Sequence, residues 1–242
     1  LWVTEADKDR AQFTGYTVVD PPTVIITHLT EVIKKHAHEI IGRQEVQVLL
    51  DTLSKDYPKL VEEVVPAILS LGTVQHVICN LLRENVSIRD LRSIMETLAD
   101  WGPSVKSPER LTEYVRAALS RSITGKLLAD DGVLKLVSLS PTLERSLSEI
   151  LQVTEQGSYL ALEPASAQKI ITMLKKFSER FAQIGASPVV LTPSNIRSAF
   201  YSFTERFIPG FTVLSHQEVG PQVKIQSLGV IGIEETKKQA IG

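Results

Sequence analysis

The stretch His36-Ala37-His38-Glu39-Ile40-Ile41-Gly42 sets two imidazoles beside a carboxylate, the residue types of a zinc hydrolase. That chemistry needs a second histidine four residues after the first, on the same helical face, with glutamate as general base. The position four after His38 is Gly42, so the motif fails. His36 and His38, two apart, are expected on different sides of a helix. His76 and Cys79 lie one turn apart and could give two metal ligands, but no further Cys/His cluster completes four-coordination; a buried structural cysteine is expected instead. No metal and no cofactor are assigned.

Phosphate chemistry fares no better. Gly125-Lys126 would close a phosphate-binding loop only with glycine at position 120, which is Ser120. No serine sits in a nucleophile-elbow pattern. Glu62, Glu63, Glu144 and Glu149 fall in amphipathic segments where charge faces water. An enzyme would have to use strand ends such as Thr192 and Ser215 to frame a cleft; with no phosphate loop or elbow, a non-enzyme is the expectation.

The elements that would hold any site are marked by caps and period changes. Residues 1–3 and Tyr16–Val19 read as short strands, with a brief helix through Glu5–Phe13 that Thr4 would cap. Asp20 then stands before Pro21, a cap acceptor followed by a residue whose missing N–H costs nothing at the first helical position. Along the helix that follows, Ile25, Ile26, Leu29, Val32, Ile33, Ala37, Ile40 and Ile41 recur on one side. Thr23, Thr27, Thr30, Glu31, Lys34 and His38 occupy the other.

From Gly42 to about Ser122 the period stays helical. The expected inward stripes are Val46, Leu49, Leu50, Leu53 and Tyr57; Val74, Val77, Ile78, Leu81 and Leu82; Ile88, Leu91, Ile94, Met95 and Leu98 behind a Ser87 cap; and Leu111, Tyr114, Val115, Ala118 and Leu119 after Ser107-Pro108. Beyond Thr124–Gly132 the pattern alternates. VLKLVSL, SYLAL, PVVLT, FTVLS and KIQSLGVIGI read as strands, separated by helices from Pro141, Pro164 and Ser194. PVVLT has the apolar character of a central strand.

The expected fold class is therefore α+β and multidomain: an all-helical middle domain, then an α/β domain, preceded by remnants of two further small α/β subdomains. The charged residues 234–242 read as a mobile tail. A net charge of −2, with 26 basic and 28 acidic residues interspersed, leaves no basic footprint for nucleic acid. One cysteine fits a reducing compartment. No apolar run reaches the ~20 residues of a membrane helix.

GYTVVDPPTVIITHL, GRQEVQVLLDTL, VSIRDLRSIMETLADW, LTEYVRAALSRSI and SYLALEP together resemble, in order, the cytoplasmic region of the flagellar export-gate family, FlhA. The virulence-injectisome export gates are the sister family, and GRQEV with the opening stretch looks more flagellar. The resemblance implies a part of an inner-membrane protein whose cytoplasmic region has four subdomains and forms a nonameric ring. It implies docking of export chaperone–substrate complexes, contact with other export components, and no catalysis. By it, residues 1–20 end the second subdomain, 21–40 close the first, 41–122 form the helical third, and 123–233 form the α/β fourth. A threonine matching Thr27 lines the chaperone cleft near positions matching Val24 and Val19, while the cleft's acidic and aromatic residues lie upstream of Leu1. Exposed charges on the third subdomain, Arg89, Arg92 and Glu96, are expected at the ring contact.

Overall fold

The computed structural model describes residues 2–154 and 157–232. Leu1, Ile233 and the 234–242 tail fall outside the described residues. A helical turn at Glu5–Asp7 leads into α1 (Lys8–Phe13). Thr4 sits at the cap position, but its hydroxyl donates to the Asp7 carboxylate at 2.6 Å rather than accepting from the backbone. The strands expected at Trp2–Val3 and Tyr16–Val19 do not form. An extended segment is a strand only when another chain segment satisfies its N–H and C=O groups. Among the described residues neither segment is paired with a strand, although the two line a common cleft.

Helix α2 (Pro21–Ile40) starts where the Asp20-Pro21 pair predicts, with the Asp20 carboxylate accepting from the Thr23 amide at 3.1 Å. Its apolar side is not buried: Ile25 and Ile26 are each 65% exposed and Leu29 54%. Its C-terminal end is anchored. There the Gln75 amide and the Cys79 thiol both donate to the Ile41 carbonyl, tying the end of α2 to α5 (Leu71–Arg83).

The helical block continues with α3 (Arg43–Ser54), α4 (Pro58–Glu62), a wider helical turn at Glu63–Ile68, α5, α6 (Leu91–Trp101), α7 (Pro108–Ala118) and α8 (Ser120–Gly125). Its core is Val46, Leu50, Val74, Val77, Ile78, Leu81, Ile94, Met95, Leu98, Leu111 and Val115. Three expectations change. Helix α6 begins at Leu91 with Asp90 as its cap, because the Asp90 carboxylate accepts from the Ser93 amide at 3.1 Å; Ser87 stands outside the helix. Tyr57 is exposed, its ring covered by the Arg92 guanidinium. On α7, Ala118 faces water while Thr112 and Arg116 are buried.

The α/β block supplies β1 (Val133–Leu139), α9 (Pro141–Glu149), β2 (Leu151–Thr154), β3 (Gly157–Leu160), α10 (Pro164–Gln183), β4 (Val189–Thr192), α11 (Ser194–Phe207), β5 (Thr212–Ser215) and β6 (Lys224–Ile231). Strands β5-β4-β1-β6 form a parallel sheet, and β2 and β3 pair antiparallel as a separate hairpin. PVVLT is central as expected, with all four residues of β4 buried. Side-chain alternation divides the sheet between two cores. Leu134, Leu136, Val189, Leu191 and Leu214 join the core of the helical block. Val137, Leu139, Val190, Val213 and Ile231 pack with Leu143, Leu174, Phe181 and Phe200 on the other face. The helical block thus replaces one of the two helix layers that a parallel sheet requires.

The edge strand β6 slips register opposite Leu136/Val137, so that Leu228 is an extra residue. Gly229 follows with φ +156°, and the Phe177 ring lies where a Cβ would be, 2.7 Å away. Arg180 donates to the Leu228 carbonyl, occupying one backbone group of the open edge.

Candidate functional site

Val24 and Thr27 are three apart on α2, hence on one face, and both are exposed. Val19 precedes the Asp20 cap and lines a separate cleft of about 570 Å³ with Trp2, Val3, Ala11 and Tyr16. The structure therefore brings two of these residues together and sets the third around the corner at the helix start. On α6, Arg92 is committed within the molecule: Nε donates to Glu96 at 2.8 Å and the guanidinium lies 4.9 Å over the Tyr57 ring. These contacts raise the Arg92 pKa above its ordinary value, first through Glu96 and then Tyr57. Arg89 is exposed in the turn before α6.

His36 is solvated at the end of α2, whereas His38 is only 20% exposed and its Nδ1 is buried without a hydrogen-bond partner among the described residues. His36 Nδ1 is 3.0 Å and His38 Nε2 3.7 Å from Glu39 Oε1, so both reach one carboxylate despite their spacing. Among the described residues no group of three or more His, Cys, Asp or Glu could hold a metal. His76 is exposed, and Cys79 is half-buried rather than buried, its thiol pushed up by burial. Thr192 and Ser215 are buried strand ends, not cleft walls: the Thr192 hydroxyl turns back onto Pro193 and Leu214 carbonyls, and the Ser215 amide donates to Glu218 at 2.6 Å.

The most concentrated chemistry lies where the two blocks meet. Arg197, on the inward face of α11, is fully buried. Its Nε donates to Glu113 Oε2 at 2.6 Å and its Nη2 to Glu84 Oε1 at 2.9 Å; further bonds run to the second oxygen of each carboxylate and to the Val213 carbonyl. All its N–H groups are occupied. Arg116 of α7 donates to Glu84 at 3.0 Å and to Val213 at 3.3 Å, and pairs with Glu218 at 2.6 Å. Its Nε has no hydrogen-bond partner among the described residues. Tyr201 adds a bond from its hydroxyl to the Arg83 carbonyl at 3.0 Å.

Burial opposes ionisation throughout this cluster, and the partners decide the outcome. At Glu84, burial pushes the carboxyl up, but Arg197 and then Arg116 hold it below the usual range. At Glu113, burial prevails over Arg197 and the carboxyl is raised. Arg197 is held well above its ordinary value by Glu84 and Glu113 against desolvation. Burial, then Glu205, raises the Tyr201 hydroxyl. Such groups are neutralised and oriented, which suits a structural joint rather than proton transfer.

Beside the cluster lies a cleft of about 690 Å³, walled by the end of α5, α7, the β2–β3 hairpin and α11. A second cleft of about 680 Å³ continues past the hairpin toward Tyr114 and Gln217. None of the charged residues of this cluster was singled out from the sequence. The available signal was an arginine one residue from Val115 and another three and four residues before Phe200 and Tyr201, both on otherwise apolar faces.

The sequence pattern of the FHIPEP family matches residues 1–224, and the chain belongs to that family. It is 44% identical over 232 residues to the flagellar biosynthesis protein FlhA of Bacillus subtilis strain 168, a span covering 96% of this chain and 34% of that protein. The chain thus spans about a third of its relative's length. Among solved structures, nonameric SctV-C of EPEC matches with a TM-score of 0.81 and 33% identity, over 94% of this chain and 68% of that one. The Chlamydia pneumoniae CdsV–CdsO complex matches with a TM-score of 0.82 and 31% identity, over 95% of this chain and 67% of that one.

Two outcomes follow from the joint. Arg197→Met leaves Glu84 and Glu113 buried with one guanidinium fewer and is expected to cost about 3–5 kcal/mol, read from urea unfolding. The pH dependence has two signs around the unfolded carboxylate value of 4.5. Glu84, depressed in the fold, contributes stability above 4.5 that is lost as pH falls further; Glu113, raised, favours the fold on protonating above 4.5. Unfolding curves from pH 7 downward should therefore show an acid loss below 4.5 that is reduced in Glu84→Gln.

Proposed function

We propose that this chain is part of the docking platform and ring-forming region of a flagellar type III protein export gate. It receives export chaperone–substrate complexes on the cytoplasmic face of the bacterial inner membrane and passes substrates toward the membrane channel. The observation that carries this reading is α2, a long helix fixed at its C-terminal end on which Val24 and Thr27 lie exposed on one face. Recognition by a few apolar anchors with one polar group to orient the partner suits such a surface. The identity to flagellar FlhA of B. subtilis, 44%, exceeds the 31–33% to the two injectisome structures, which favours the flagellar over the injectisome form of the same gate. The role is non-enzymatic in this reading, since the buried carboxylates are spent on arginines.

Within it, residues 1–20 and 21–40 belong to the second and first subdomains, 41–122 to the third and 123–233 to the fourth. Val19, Val24 and Thr27 form one wall of the chaperone cleft, completed by upstream residues. Arg89, Arg92 and Glu96 face the neighbouring subunit, and the Arg92–Tyr57–Glu96 arrangement presents that surface in one geometry. The nonameric SctV-C assembly supports a ring for this chain as well.

Thr27→Trp in a chain extended upstream should weaken capture of a chaperone–substrate complex in a pull-down while leaving the circular-dichroism melt unchanged; unchanged capture would remove Thr27 from the cleft. Reversing Arg89 and Arg92 to Glu should abolish ring particles seen by mass photometry. Rings that still assemble would place the contact elsewhere.

A further inference from the structure

The two edges of the parallel sheet differ. Three of the four residues of β5 are buried, whereas the first four of β6, residues 224–227, are all exposed and pair with β1 on one side only. An edge strand leaves the N–H and C=O of every second residue without a sheet partner, a template for one more strand. Bulges blunt such edges, but here the bulge comes at Leu228, after a regular stretch matched residue for residue with residues 133–136 of β1.

The register sorts the side chains. Leu134 and Leu136 face the helical block, so their partners Ile225 and Ser227 do too, while Lys224 and Gln226 face the α10 side. Toward the helical block, Ile225 is 50% exposed and, past the bulge, Val230 53%. Toward α10 the charge is mostly of one sign. Phe177 and Arg180 bring that helix onto Gly229 and Leu228. Lys175, Lys176, Arg180 and Lys224 are exposed there, against Glu179 and, in the turn before β1, Asp130. Asp131 is held by Lys135 and the Val133 amide. A second copy of β6 would bring the same cations to this edge, and like charges across a strand pair repel.

We infer that β6 takes up an extended, acidic partner-protein segment as a fifth strand of the sheet. Apolar residues of that segment lie beside Ile225, and the acidic residues alternating with them lie beside Lys224 and Arg180. Main-chain bonds supply the affinity and the alternate side chains the selection. Arg180, already holding the Leu228 carbonyl, ends the pairing at the bulge and has further N–H groups for the last carboxylate. This surface does not depend on the α2 reading.

The test is amide NMR of the whole isotope-labelled chain titrated with acetyl-Val-Glu-Val-Glu-Val-amide. The peptide should shift the Ile225, Gln226 and Ser227 amides saturably, and its counterpart with lysine for glutamate should not. Two further peptides, N-methylated at the glutamate or at the valine amides, separate strand pairing from charge attraction: one of the two should lose binding, because one set of amides faces β6. Lys224→Glu, at an exposed position, should weaken the acidic peptide about fivefold, as expected for reversing one exposed charge. No saturable shift, an equal response to the lysine peptide, full binding by both N-methylated peptides, or indifference to Lys224→Glu would each overturn the inference. Shifts of these amides on concentrating the protein alone would assign the edge to a second copy. Binding gained only when residues 234–242 are removed would assign it to the chain itself. Either result overturns the inference too.

Discussion

Arg197 fixes how the two halves of this molecule meet. Its guanidinium reaches from α11 of the α/β block to Glu84 at the end of α5 and Glu113 in α7, while Arg116 reaches back to Glu218 behind β5. Burying this many charges is costly, and equally large apolar side chains would hold two surfaces together as well or better. What the charges add is direction. A planar fork satisfied by two carboxylates and a carbonyl tolerates one relative placement of the helices, whereas an apolar contact tolerates many. Around it the apolar core runs without a break from the helical block onto one face of the sheet. The boundary between the helical block and the α/β block is thus a change of secondary structure, across which packing is continuous.

Much of this was legible from local chemistry. Proline behind a short polar acceptor marked the starts of α2, α7 and α9, because such a pair settles the first turn without help from elsewhere. PVVLT announced a strand buried on both faces by lacking any polar alternation. Other features depended on partners far along the chain. Arg116 and Arg197 drew no reading from the sequence, because their carboxylate partner Glu84 lies 32 and 113 positions away. Ala118 lost its inward place because the helix turns Arg116 into the joint. Asp90 outcompeted Ser87 because its carboxylate reached the amide three residues on. Tyr16–Val19 had strand composition but no neighbouring strand, and β2 was overlooked because LQVT is short and mostly exposed.

The candidate site was legible only in part, for the same reason. Periodicity put Thr27 opposite the isoleucines of α2, and the structure leaves both sides of that helix open. A long helix cannot rest with this much apolar surface in water without a partner of some kind. Its C-terminal end is held to α5 through Ile41, so the rigid unit behind it can present the helix at a defined angle. The ionic joint in this way stiffens the unit from which α2 and the exposed charges of α6 project.

Native-state hydrogen exchange across a urea series tests that stiffness most directly. If residues 43 to 231 behave as one body, the most protected amides of α5, α7, β1 and β4 share a single opening free energy and urea dependence, with the first turns of α2 exchanging far faster. Two separate classes, with the sheet opening at lower free energy while the helical block stays closed, would contradict the account.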